Sequence, residues 1–278
     1  MEGIVERIGA FALVGLGSGF ASGLFGIGGG IVRIPIFVYL LPLFGVPQPV
    51  LMHVAVGTSI ALVLPSAVAS TRKQLALNNL DLAFFRTWAA GIFAGALIGT
   101  ALVPLASTKV LQAIFAAFMV TVGVYEGFLR HRMVIARLAP HGAVKLVLAA
   151  AIGCLAALTG TGGSTLTTPA LQAFSVRLES AIATASATGL VTGVIATIGA
   201  IIGGWHARDL PAYSLGYVDL AIFIAMMPTI LIAAPLGVRA GHWLSETWLR
   251  RVYTVLLFVI AADLMRKLVG WPPALAIR

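Results

Sequence analysis

Two short stretches of this chain carry the residue types that could hold a negative ion. The first is GLFGIGGGIVRIP at 23–35, where four of the five residues from Gly26 to Gly30 are glycine and Arg33 follows. The second is TGTGGSTLTT at 159–168, where Gly160, Gly162 and Gly163 sit among Thr159, Thr161, Ser164, Thr165, Thr167 and Thr168. Glycine lets a backbone turn left-handed and approach a ligand closely. A glycine loop that opens a helix offers free amide groups at the positive end of the helix dipole. Serine and threonine hydroxyls add donors, and the guanidinium adds a full charge. The chemistry these types share is oxyanion binding. Gly28, Gly29, Gly30, Arg33, Thr161, Gly162, Gly163, Ser164 and Thr165 are the expected substrate contacts. Two plainer roles compete: close helix packing for the glycines, and for Arg33 a reach along its aliphatic stem to a membrane surface.

Both stretches interrupt long apolar runs. The 278 residues are 60% hydrophobic and 10% charged, with a mean hydropathy of +1.03; a soluble domain carries about a quarter charged residues. The composition is that of an all-α polytopic membrane protein whose first partner is the lipid bilayer. A net charge of +9 would suggest nucleic acid in a soluble protein. Here the basic residues fall in short gaps between apolar runs, as in cytoplasmic loops, and no nucleic-acid partner is expected. The run from Ile8 to Phe25 follows an acidic MEGIVER and is long for a signal peptide, so it is expected to be retained. Cys154, the single cysteine, reads as a small apolar packer.

The chain is written twice. LFGIGGGIVRIP (24–35) aligns with LTGTGGSTLTTP (158–169), AVGTS (55–59) with AIATA (181–185), and DLAFF (81–85) with DLAIF (219–223), in the same order. The expected division is a first repeat at 1–129, a basic cytoplasmic linker at 130–145 and a second repeat at 146–278. Apolar runs fall at 8–25, 31–43, 54–71, 82–104 and 109–129, then at 146–159, 164–175, 181–204, 217–239 and 247–268. They are continuously apolar rather than alternating, which excludes a β-barrel. Residues 8–43 as one helix would reach about 54 Å against a hydrocarbon core of about 30 Å. The chain must break there, at the glycines. If each opening feature is a helical hairpin, each repeat has five membrane segments and the two are inverted; if it is one broken crossing, each has four and they run parallel. Length favours inversion. Paired Gly- or Pro-interrupted segments at matching positions of two halves point to a transporter's binding site, with one half rocking against the other.

Other polar residues receive plainer readings. Thr58 and Ser59 on one repeat, with Thr184 and Ser186 on the other, either let helices touch or line a polar path. His53 opens its helix, as an interfacial histidine or a pathway group would. Asp81 and Asp219 read as helix N-caps, and Glu126–Arg130 and Asp263–Lys267 as helix-end ion pairs. Gly91, Gly95 and Gly99 form a small-residue ridge suited to helix packing, within the chain or in a homodimer. Trp88, Trp205, Trp243, Trp248 and Trp271 fit interfacial belts. No metal-ligand spacing, H-E-x-x-H or nucleophile elbow occurs. The chain is expected not to be an enzyme and to need no cofactor or metal.

GFASGLFGIGGGIVRIP, then HVAVGTS, then NNLDLAFF after a basic loop, resembles the TauE/SafE sulfite-exporter family of membrane permeases. LTGTGGSTLTTP…AIATASATG…YVDLAIF is similar to that family's second module, and the likeness spans about 8–268. The resemblance implies a multi-pass transporter in the bacterial cytoplasmic membrane that exports sulfite, sulfoacetate or another organosulfonate. A passive anion channel and a membrane scaffold with no translocated ligand are the alternatives.

Overall fold

A computed structural model describes residues 2–25, 29–129, 139–241 and 246–269. The chain is helical almost throughout. The helices are α1 (Glu2–Phe25), α2 (Gly30–Leu43), α3 (Leu51–Ala61), α4 (Val63–Ala76), α5 (Leu82–Leu102), α6 (Thr108–Val124), α7 (Gly142–Thr159), α8 (Ser164–Ala173), α9 (Leu178–Gly203), α10 (Leu220–Gly241) and α11 (Glu246–Val269). Among the described residues one hairpin, of β1 (Ser214–Leu215) and β2 (Val218–Asp219), precedes α10. Among the described residues, seven helical segments are long and apolar enough to cross a membrane.

The helix limits follow from local chemistry. Asp81 caps α5 by accepting the Phe84 N–H at 2.9 Å, and Asp219 caps α10 by accepting the Ile222 N–H at 3.0 Å, as their positions predict. The run at 54–71 is not one helix: α3 and α4 are separated at Leu62, three residues before Pro65, whose ring and missing N–H disfavour an unbroken ladder. In the hairpin, Gly216 supplies the positive φ (57°) that a two-residue turn requires.

α2 has 14 residues and α8 has 10, about 21 and 15 Å at 1.5 Å per residue. Neither reaches across a hydrocarbon core of about 30 Å. α2 begins beside the middle of the α3–α4 span, and α8 beside the middle of α9. A Cβ on Gly30 would lie 3.3 Å from the Ser59 hydroxyl, and one on Gly163 would lie 3.1 Å from Thr188 Cγ2. α2 carries the chain to the start of α3, and α8 to the start of α9. α4 and α9 are antiparallel, with Leu64 against Gly193 and Ser70 bonded to Ser186 at 2.7 Å. The two half-helices therefore diverge toward opposite ends of the bundle, and their N-termini converge at its middle.

Two long pairs are zipped by glycine. On α1, Gly15, Gly19 and Gly23 meet Met226, Ile230 and Ala234 of α10 in ascending order, so these helices are parallel. On α5, Gly91, Gly95 and Gly99 meet Ala149, Ala150 and Cys154 of α7, again in parallel. The predicted ridge thus packs inside the chain and is not a free dimer surface. α6 and α11 are antiparallel, with Gly123 beside Leu257 and Gly127 beside Thr254. A Cβ at Gly95 would lie 2.7 Å from Ala150 Cα and closer still to its carbonyl. Gly95→Leu is expected to cost about 3 kcal/mol, read as a lower melting temperature of the purified protein. Gly9→Leu, with nothing within 4 Å of its Cβ, is expected to leave it unchanged.

Several expectations are corrected. Trp88 is fully buried, not interfacial; its indole N–H donates to Thr188 Oγ1 at 3.0 Å and its ring stacks on Phe84. Trp205 and Trp248 are exposed, while Trp243, Trp271, Arg130 and residues 130–138 of the linker lie outside the described residues. Asp263 pairs with Arg266 at 2.8 Å and with the Tyr39 hydroxyl, while Lys267 sits over the Tyr39 ring. Cys154 is half-buried against the main apolar cluster. His53 is buried within the protein: its Nε2 lies 3.1 and 3.0 Å from the Val103 and Ala106 carbonyls, and its ring packs on Tyr217.

Candidate functional site

The two glycine stretches meet. Gly29 caps α2 with φ 71° and ψ −21°, and Gly163 caps α8 with φ 79° and ψ −13°. These are near-identical left-handed corners, a conformation that costs an L side chain about 1–2 kcal/mol. Neither corner carries a side-chain cap; the Val32 and Leu166 N–H groups turn back onto the Gly29 and Gly163 carbonyls at 3.2 and 3.3 Å, and the positive ends of the two helix dipoles converge here. A Cβ on Gly30 would fall 2.7 Å from the Gly160 carbonyl oxygen and 2.8 Å from Thr161 Cα. Only a residue without a side chain brings the loops this close. The Ser59 hydroxyl ties them further, donating to the Gly160 carbonyl at 2.9 Å.

Arg33 is the cation of this centre. It is 1% exposed, so it does not reach a membrane surface. Its guanidinium folds back over Gly29 and donates from Nη2 to the Ser59 carbonyl at 3.3 Å. A buried guanidinium in an apolar bundle is costly unless polar groups or a cavity receive it. Hydroxyls crowd the opposite side. Thr159 and Thr161 are fully buried and bonded to each other at 3.0 Å. Thr167, the repeat counterpart of Arg33, donates to the Gly163 carbonyl at 2.9 Å. Thr165 is buried and Ser164 half-buried at the first turn of α8. Gly162, with φ 78°, packs on Val63 beside the α3–α4 break. Gly28 lies outside the described residues, as does Gly26. The named side chains supply one positive charge and several donors, and none of them is acidic. That set can hold an oxyanion.

The pathway residues fall in three places. Ser59 alone belongs to the loop junction. His53 and Thr58 lie on α3 beneath the hairpin, where the Asp219 N–H donates to Thr58 Oγ1 at 3.0 Å. Thr184 is buried and Ser186 half-buried toward the other end of α9. The hairpin covers the His53 end: a Cβ on Gly57 would lie 2.6 Å from the Tyr217 carbonyl oxygen, and the Tyr217 N–H donates to the Ala200 carbonyl at 3.0 Å. The fully buried Asp219 carboxylate pairs with Arg7 of α1 and pins the hairpin there. Sequence reasoning missed this pair, because 212 positions separate its members. No group of three or more His, Cys, Asp or Glu residues that could hold a metal ion occurs among the described residues.

The family model described as sulfite exporter TauE/SafE matches residues 11–264. A chain of Haemophilus influenzae named "Probable membrane transporter protein" is 29% identical over 257 residues, covering 92% of this chain and 97% of its own length. A Methanocaldococcus jannaschii protein with the same description is 25% identical, covering 89% and 91%, and one from Bacillus subtilis is 21% identical, covering 91% and 95%. No solved structure matches. The seven apolar helices make this a multi-pass membrane protein, and the match over nearly its whole length places the chain in the sulfite exporter TauE/SafE family.

Proposed function

We propose that this protein is a secondary transporter of the bacterial cytoplasmic membrane that exports a sulfur-containing oxyanion: sulfite, sulfoacetate or another organosulfonate. The observation that carries the proposal is the meeting of two uncapped half-helix N-termini beside the buried Arg33. The family description and the transporter names of its relatives supply the sulfur oxyanion and the direction.

The two halves are inverted repeats in this reading. Two observations support it: α4 is antiparallel to its counterpart α9, and α6 to its counterpart α11. The ends of α4 and α6 and the start of α7 then share the basic side, which is cytoplasmic by the positive-inside rule. The moving bodies in this reading cut across the two sequence halves. Glycine zips α1 of the first half onto α10 of the second, and α7 of the second onto α5 of the first. Each rigid body is therefore mixed. The anion site lies between them, and the hairpin that carries Tyr217 is the outer cover.

No ATP motif is present in the sequence. A monoanion leaving a negative-inside cell gains about 2.3 kcal/mol per 100 mV, so export needs no coupled ion. Labelled sulfite and sulfoacetate fluxes in proteoliposomes, with and without an imposed potential, test this. Arg33→Ala removes a charge-assisted contact of about 1.5–3 kcal/mol and is expected to cut flux at least tenfold, with Arg33→Lys intermediate. Flux unaffected by Arg33→Ala overturns the site, and single-channel currents in place of saturable flux overturn the transporter.

A further inference from the structure

We infer that the groove between α6, α7 and α8 binds the acyl chain of a bilayer phospholipid. α8 is half a crossing long, so the wall it helps to form is incomplete beside α6 and α7. The gap is a cavity of about 320 Å³. Its α8 side is one stripe, Leu166, Pro169, Ala170 and Ala173, spaced i, i+3, i+4, i+7 as one helix face requires. Facing it are Val122 of α6 and Leu148, Ile152 and Leu155 of α7.

The chemistry of the lining selects the occupant. The two hydroxyls at the groove are already bonded within the protein: Thr121 donates to the Ala117 carbonyl at 2.9 Å and Tyr125 to the Pro169 carbonyl at 3.2 Å. What the groove offers is hydrocarbon. It is continuous with the lipid-facing belt, where Val120, Val147 and Leu155 are exposed. A water-filled groove would leave this apolar surface unburied, and a peptide backbone would find no partners there. A lipid tail satisfies both constraints. Thr165 and Thr167 of the anion site are buried on the two flanks of that stripe, so the tail acts as a wedge behind the helix that carries them. The inference does not depend on which anion is carried.

The test uses the full chain purified in detergent, washed mildly and examined by native mass spectrometry after exposure to phosphatidylethanolamine or phosphatidylglycerol. The native chain is expected to retain a phospholipid of either headgroup, and full delipidation is expected to lower its melting temperature. Ala151→Phe and Ala170→Phe place a ring in the groove. Each is expected to lower retention about tenfold and to make the melting temperature insensitive to delipidation. Val147→Phe adds the same ring at a position 68% exposed outside the groove and is expected to behave as the native chain. Two groove positions are used so that misfolding of one leaves the other. Equal retention in the native and filled chains, equal loss in the Val147 control, or retention of one headgroup only would overturn the inference.

Discussion

Gly30→Val is expected to abolish anion flux, below one hundredth of the native rate by about 3 kcal/mol, while the protein still inserts and purifies. The position admits no Cβ, because the atoms 2.7 and 2.8 Å away are the Gly160 carbonyl oxygen and Thr161 Cα. Both are backbone, so neither rotates aside. The loops must part, and the first-turn amides of α2 and α8 then no longer converge. Gly163→Val adds left-handed strain at φ 79° to a contact with Thr188 and is expected to act in the same direction. Gly17→Val, with nothing within 4 Å, is the control and should transport normally. Native flux through Gly30→Val would show that the loop junction has no part in transport.

The largest stability effect is expected at Asp219. Its carboxylate is fully buried, pairs with Arg7 and accepts the Ile222 N–H. Asp219→Ala leaves a partly buried guanidinium without its partner and uncaps α10. Removing one member of a buried pair costs about 3–5 kcal/mol, and the lost cap adds about 1 kcal/mol. Arg7→Met alone is expected to be as damaging, because it strands the buried carboxylate. The combination of Arg7→Met with Asp219→Asn removes both charges and keeps an oxygen for the cap. It is expected to recover most of the loss and, with Asp219→Asn as the matching single variant, to give a coupling of about 2 kcal/mol or more in a double-mutant cycle of unfolding free energies. Additive losses would mean that the two groups do not act as a pair.

The helix map was largely legible in the sequence because a bilayer demands long apolar runs and the linking segments are polar. The predicted break at the glycines falls where Phe25 ends α1 and Gly30 begins α2. The caps at Asp81 and Asp219 were legible from their place before apolar runs. Other features were not. Trp88 reads like any tryptophan near a helix end, since nothing local reveals that Thr188, 100 positions away, accepts its indole proton. The Gly15, Gly19 and Gly23 ridge has a visible spacing of four, but only the fold reveals α10 as its mate. The depth of Arg33 depended on where the hairpin turn sits, which composition cannot supply. The β1–β2 cover is two residues per strand, too short for any period to register.

The mixed pairing of helices has a consequence for how the chain is made. α1 is synthesised first, yet its glycine face is matched by residues 226–238 of α10. At about 5–20 residues per second, that face waits roughly 10–40 s in the lipid before its mate emerges from the ribosome. α5 waits a shorter time for α7. A chain released early, after its first half, would hold two unmatched glycine seams, which would mark it for the cell's quality-control proteases.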